Sequence, residues 1–207
     1  MAALAKDEPG AVKIADLIAE PRTIQPSTPF RDLTLIDERI LPVMKGNKIQ
    51  GYVRRRDSLQ LLDEYYSTHP SVARKLSSIR QLLSVPTPLF AKDSIRDAVS
   101  VIVKEKMSIG VIASKSGTGY RVMGLVPERL LVEELINFKG TIHQMNVETA
   151  MKRARTAEVT LPSLEGVRLI LESEYRAIVV TENDVLQGVL SEHILVKELR
   201  GALDKII

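Results

Sequence analysis

The chain has 207 residues, 44% hydrophobic and 27% charged, with 29 Lys and Arg against 26 Asp and Glu, for a net charge of +3. This composition fits a folded globular protein and argues against a disordered chain or a dedicated nucleic-acid binder, which carries a stronger clustered basic excess. The absence of cysteine excludes disulfides, thiolate metal sites, cysteine nucleophiles and iron–sulfur clusters.

No apolar run approaches the ~18 residues that a membrane span requires. The opening MAALAKDEPG lacks a signal-peptide core. Both features lead to the expectation of a cytoplasmic protein without a membrane partner.

In chain order, IADLI (14–18) reads as a short helical lead and RTIQPST (22–28) as an extended segment with turn residues. PFRDLTLI (29–36) has apolar residues at helical spacing after a proline. ILPVM (40–44) reads as a strand, KGNK (45–48) as a hairpin turn, and GYVRRRDSL (51–59) as a second strand running into a helix.

The same order then returns twice. IRQLL (79–83), TPLFAKD (87–93), SIRDAVSVIV (94–103), IGVIA (109–113), KSGTGY (115–120) and GLVPERLLV (124–132) form a second series. VETAM (147–151), TAEVTLP (156–162), SLEGVRLIL (163–171), AIVV (177–180), TEND (181–184) and GVLSEHILV (188–196) form a third. Ser94 stands where an N-cap belongs. The second hairpin is the longest. The three units span about 12–66, 77–137 and 145–202, joined by 67–76, with a turn at His69–Pro70, and by 138–144.

Internal repetition of this kind is the strongest organisational signal in the chain. A unit of ~60 residues buries little apolar surface by itself, and one face of its sheet must be covered. Pairing of units follows. Three units leave one unpaired face, which predicts that a second copy of the chain covers it and gives a homodimer.

On these residues the sequence resembles the cystathionine-β-synthase (CBS) domain family. The closest match is IADLI…TIQPSTPFRDL…ILPVM…GYVRRRDSL in the first unit; VETAM…AIVV…GVLSEHIL in the third is also good. The resemblance covers nearly the whole chain. It implies an α/β (α+β) class with tandem β-α-β-β-α CBS units packed sheet to sheet as a Bateman-type module. It implies no fused catalytic domain.

The resemblance also assigns a ligand corner. Ligand-binding CBS units read Gly, two apolar residues, Thr or Ser, two variable residues, then Asp. The hydroxyl faces phosphate and the Asp accepts from ribose hydroxyls. Here Arg54 takes the hydroxyl's place and Asp57 the ribose place, with Arg55 and Arg56 between them. A guanidinium at Arg54 either holds a phosphate or fills the pocket. The backbone near Thr23 and Ile24 is the implied opposite wall. The second unit has Pro127 and Leu130 in these places, the third Ser191 and Ile194, with His193 nearby.

The implied ligand is AMP, ADP, ATP or S-adenosylmethionine, bound as a regulatory signal rather than a required cofactor. Each residue also has a plainer reading. Asp57 suits a helix first turn, Ser191 an N-cap, His193 the surface, the arginine run a solvated corner, and SGTGY (116–120) a hairpin turn.

No HExxH, P-loop, nucleophile elbow or strand followed by GxGxxG is present. Asp63–Glu64 and Glu133–Glu134 are helix neighbours pointing in different directions. His69 and His143 lack metal-ligand spacing. The expectation is therefore a stand-alone sensor, not an enzyme, that passes a nucleotide signal to an unknown protein partner. A ligand-free interaction scaffold is the alternative. Nucleic-acid binding through RRR (54–56) and MKRAR (151–155) is disfavoured, because only 4% of residues are aromatic and able to stack bases.

Overall fold

The computed structural model describes residues 22–30, 38–74, 76, 78–137 and 145–204. The chain divides into two units, residues 1–54 and 55–207. The leads and helices expected at 14–18 and, for the most part, 29–36 lie outside the described residues, as do linker 138–144 and His143.

In the first unit, β1 (Ile40–Lys45) and β2 (Lys48–Arg54) form an antiparallel hairpin. Its turn contains Gly46 at φ +58°, a left-handed conformation that glycine adopts without strain. Ile24 lies parallel to β1. Its amide donates to Pro42 O at 3.0 Å, and its carbonyl accepts from Met44 N at 2.7 Å. Leu41, 1% exposed, packs with Ile24, Phe30 and Val53.

The second unit begins with helix α1 (Arg55–Thr68) and the single turn α2 (Pro70–Ala73). A 3-10 turn (Ile79–Leu82) precedes α3 (Ile95–Glu105), β3 (Ile109–Ser116), β4 (Gly119–Pro127) and α4 (Glu128–Asn137). A second 3-10 turn (Val147–Ala150) precedes β5 (Thr156–Glu158), α5 (Ser163–Glu172), β6 (Ala177–Glu182), β7 (Val185–Ser191) and α6 (Glu192–Asp204). The strands run in the order β3-β4-β7-β6-β5, and β5 is parallel to β6.

The expected hairpins form at the expected turns. Gly117, inside SGTGY, has φ +57°, so this stretch is a turn. Asn183 and Asp184 have φ of 51° and 65°, the two positive values of a type I′ turn. All three hairpins share one register. Gly51 faces Val43, Gly124 faces Ile112 and Gly188 faces Val180, with a one-residue slip just beyond each pair.

Strand alternation sends neighbouring side chains to opposite faces. Ile112 and Val126 turn toward helix α3, joining Leu89, Ile95, Ala98 and Ile102 in one core. Ile109, Val111 and Leu125 turn the other way and bury against Ala177, Val179 and Val189. The β3–β4 half and the β5–β6–β7 half therefore meet face to face, as in a Bateman-type module.

The short turns that open each half are exchanged. Val147 and Ala150 sit in the core of the β3–β4 half, and Lys152 exchanges both backbone hydrogen bonds with Leu125, at 2.9 and 2.8 Å. Reciprocally, Ser84 exchanges both with Val189 of the β6–β7 half, at 3.1 and 2.8 Å. Glycine permits both crossings. A Cβ at Gly124 would lie 2.7 Å from Lys152 O, and one at Gly188 would lie 2.9 Å from Ser84 O.

Candidate functional site

The corner read as a ligand site is the passage from β2 into α1. β2 ends at Arg54 and α1 starts at Arg55, which places Asp57 in the first helical turn. The other hairpins make the same passage. β4 ends at Pro127 and α4 starts at Glu128; β7 ends at Ser191 and α6 starts at Glu192. Arg54, Pro127 and Ser191 are thus equivalent, as are Asp57, Leu130 and Ile194, in agreement with the alignment by sequence. A helix start presents unpaired N–H groups, and a carboxylate there is favoured by the helix dipole.

In the second and third corners one helix-start amide is already satisfied. Glu128 N donates to Ser108 O at 2.9 Å, and Glu192 N to Arg176 O at 3.2 Å. Arg176 Nη1 also lies 4.0 Å from the Glu192 carboxylate, which is buried at the α6 start.

The division between the two units falls between Arg54 and Arg55, so each part of the first corner is placed within its own unit. In the first, Thr23 and Arg54 are exposed, and Ile24 is half-buried against β1. In the second, Arg55 is only 8% exposed, while Arg56 and Asp57 are half-buried. Arg56 Nη2 donates to Leu171 O in the last turn of α5. A cation there complements the negative end of the helix dipole. Arg155 acts on the same helix end, through a 2.6 Å ion pair with Glu172 and a 3.4 Å bond to Leu169 O. The two basic clusters therefore supply two of their arginines to the end of α5 rather than to an open patch. The sequence held no local signal for this, because Arg56 and Leu171 are 115 residues apart.

Ser191 and His193 are half-buried at the start of α6. His69 stacks on Tyr65 with ring centroids 4.2 Å apart, and its Nδ1 lies 2.8 Å from Tyr65 O. Among the described residues no group of three or more His, Asp or Glu is placed to hold a metal ion. None of their helices is long and apolar enough to cross a membrane.

A buried polar contact missed by the sequence reading lies where α1 packs on α5 and α6. Asp63, read from the sequence only as the helix neighbour of Glu64, turns inward. Its Oδ1 is buried without a hydrogen-bond partner, 3.9 Å from Arg168 Nε. Burial raises its carboxyl above the usual range, against the opposing pull of Arg168.

No protein-family model and no curated protein matches the sequence. Solved structures do match in fold. The MJ1225 protein of Methanocaldococcus jannaschii, a proposed archaeal homologue of γ-AMPK, superposes with a TM-score of 0.66 at 14% identity over 84% of this chain. This chain spans 66% of that protein's length. The CBS domain pair of protein MJ0100, solved with 5′-methylthioadenosine and S-adenosyl-L-methionine, gives 0.52 at 18% identity, covering 61% of this chain and 98% of that one. The CBS domain of a bacterial CNNM/CorC family Mg2+ transporter, solved with ATP, gives 0.51 at 10% identity, covering 71% and 95%. The chain has the fold of a CBS-domain protein, with the Bateman-type arrangement of paired halves.

Proposed function

We propose that the chain is a regulatory sensor of an adenosyl ligand, built from three CBS-type repeats at about 12–66, 77–137 and 145–202. The observation that carries this reading is Asp57. It is an acidic residue in the first turn of a helix that directly follows a strand bearing Gly51 and two apolar residues. In this reading Asp57 accepts from the ribose hydroxyls, Arg54 meets phosphate, and the backbone at Thr23 and Ile24 completes the pocket. Ser191 and His193 offer a poorer second corner, because Ile194 stands where the carboxylate would be. Two neighbours of the same fold were solved with adenosyl compounds, ATP in one and S-adenosyl-L-methionine with methylthioadenosine in the other. That supports the ligand class. The role is regulatory and not catalytic, exercised in the cytoplasm through a protein partner, with the chain acting as a homodimer.

Binding shifts the population between two arrangements of the repeats, and the partner reads that shift. Thermal unfolding against AMP, ADP, ATP and S-adenosylmethionine tests the reading. A ligand at ~100 times its dissociation constant adds about 2.7 kcal/mol, a melting shift of roughly 5–10 °C for a chain of this size. The shift should vanish in Asp57→Ala. A shift of unchanged size in that variant moves the site elsewhere.

A ligand-free scaffold is the second reading. The burial of Arg55 and the bond from Arg56 to Leu171 O favour it, because both side chains are committed within the fold. No shift with any of the four ligands selects it.

A further inference from the structure

In sequence, α1 follows the first hairpin; in the structure it packs on α5 and α6, which flank the third. Its first turn carries Asp57 and, beside it, Arg56, whose Nη2 donates to Leu171 O at the end of α5. The last four carbonyls of a helix have no partner within it. At the end of α5, Leu169 O accepts from Arg155 at 3.4 Å, Ile170 O from Ser173 N at 3.0 Å, and Leu171 O from Arg56. One of these caps is therefore held by the sequence neighbour of the residue read as the ribose acceptor.

The segment after α5 is tied onward to the paired sheets. Ser173 is buried; its Oγ donates to Ala177 O at 3.1 Å and accepts from Tyr175 N at 3.3 Å. Arg176 N donates to Ser173 O at 3.4 Å. Ala177 opens β6 and lies in the core that the two halves share with Val111 and Leu125. Contiguous bonded residues thus join the first turn of α1 to the face on which the halves meet.

We propose that Arg56 is an exchangeable contact. With the corner empty it caps α5 through Leu171 O; with a phosphorylated adenosyl ligand on Asp57 it turns to the phosphate and uncaps α5. The inference rests on the adenosyl-sensor reading above and adds which ligands signal. Those with a phosphate beyond the ribose uncap α5, and those without one bind and leave it capped.

Leu171 O is a single neutral acceptor. A phosphate is an anion that takes two parallel N–H bonds from one guanidinium, and the helix-start amides of α1 draw the same group. The two acceptors compete for one side chain, so the cap weakens phosphate binding by the factor by which phosphate weakens the cap. The rest of α1 stays docked. Tyr66 holds Leu199 O at 2.7 Å and Asp63 lies 3.9 Å from Arg168, both beyond the first turn.

Amide hydrogen exchange on the full chain tests this, with AMP or 5′-methylthioadenosine added and occupancy checked by the melting shift. AMP should raise exchange at Ser173, Tyr175 and Arg176 about tenfold or more, the worth of one hydrogen bond from a charged group. 5′-Methylthioadenosine, which has no phosphate, should leave these amides at their free rate. Arg56→Ala should raise them without ligand, and AMP should then add nothing. The wild-type measurements decide the matter even if this variant folds poorly. AMP that binds and leaves the three amides unchanged overturns the proposal. So does an equal rise with 5′-methylthioadenosine, or a melting shift from unphosphorylated ligands such as S-adenosylmethionine but from no phosphorylated one. No melting shift with any of these ligands removes the sensor reading itself, and this inference with it.

Discussion

The Tyr66 hydroxyl in α1 donates a 2.7 Å hydrogen bond to Leu199 O in α6. Tyr66 is fully buried, and burial pushes its phenol from 10.0 up to about 12. Tyr66→Phe should lower the unfolding free energy by about 1 kcal/mol, the net value of one buried hydrogen bond, read from urea midpoints. The phenol also sets a pH dependence. The native chain keeps its proton above the pH at which the unfolded chain loses it. The contribution is therefore full below about pH 10 and falls as pH rises toward about 12. The phenylalanine variant should lack this alkaline slope.

Helix α3 starts with a reciprocal cap. Ser94 Oγ accepts from Asp97 N at 3.1 Å, and the Asp97 carboxylate accepts from Ser94 N at 3.2 Å and from Ser94 Oγ at 2.7 Å. Ser94→Ala removes the acceptor for one helix-start amide and should cost about 1 kcal/mol. A melting temperature within error of wild type would show that this helix start is held by its packing alone.

Local chemistry made much of the fold legible in the sequence. The hairpins announced themselves through apolar runs around Gly46, Gly117 and the Asn183–Asp184 pair, and α3 through Ser94. The equivalence of Arg54, Pro127 and Ser191 followed from glycine spacing and holds in the strand ends. What sequence order does not carry is the destination of a segment. Nothing in IRQLLS or VETAMK says that each crosses to the other half, because an extended backbone pairs through groups common to every residue. The burial of Arg55, the Leu171 carbonyl as partner of Arg56 and the inward turn of Asp63 are set by helices distant in the chain. A charged residue at helical spacing reads as solvated until the packing partner is known.

Asp63 carries an acid-side prediction. Its folded carboxyl is raised above 3.8, first by burial and then by Glu64, with Arg168 opposing. The native chain therefore binds this proton more tightly than the unfolded chain. The resulting stability is full below about pH 3.8 and is lost as pH rises through the raised value, so at neutral pH the ionised group is a net cost. Asp63→Asn should remove that slope and raise the urea midpoint at pH 7. Arg168→Ala should lower it, by removing the cation 3.9 Å from the buried carboxylate oxygen. A fall in stability for Asp63→Asn at pH 7 would mean that the pair with Arg168 outweighs the desolvation.

The crossing glycines give the sharpest contrast. At Gly124 an added Cβ would stand 2.6 Å from Met151 Cγ and 2.7 Å from Lys152 O; at Gly188 it would stand 2.8 Å from Leu83 Cβ and 2.9 Å from Ser84 O. The opposing atoms are partly backbone held by paired hydrogen bonds, so they cannot swing aside as a side chain would. Gly124→Val and Gly188→Val should each destabilise by at least ~2 kcal/mol, the scale of overpacking in a closed interior. Amides that depend on the crossing, Leu125 and Lys152 in one half and Ser84 and Val189 in the other, should lose hydrogen-exchange protection first. Stability within about 0.5 kcal/mol of wild type for either variant, the range of an ordinary surface change, would show that the exchanged segments are not clamped at these glycines in solution.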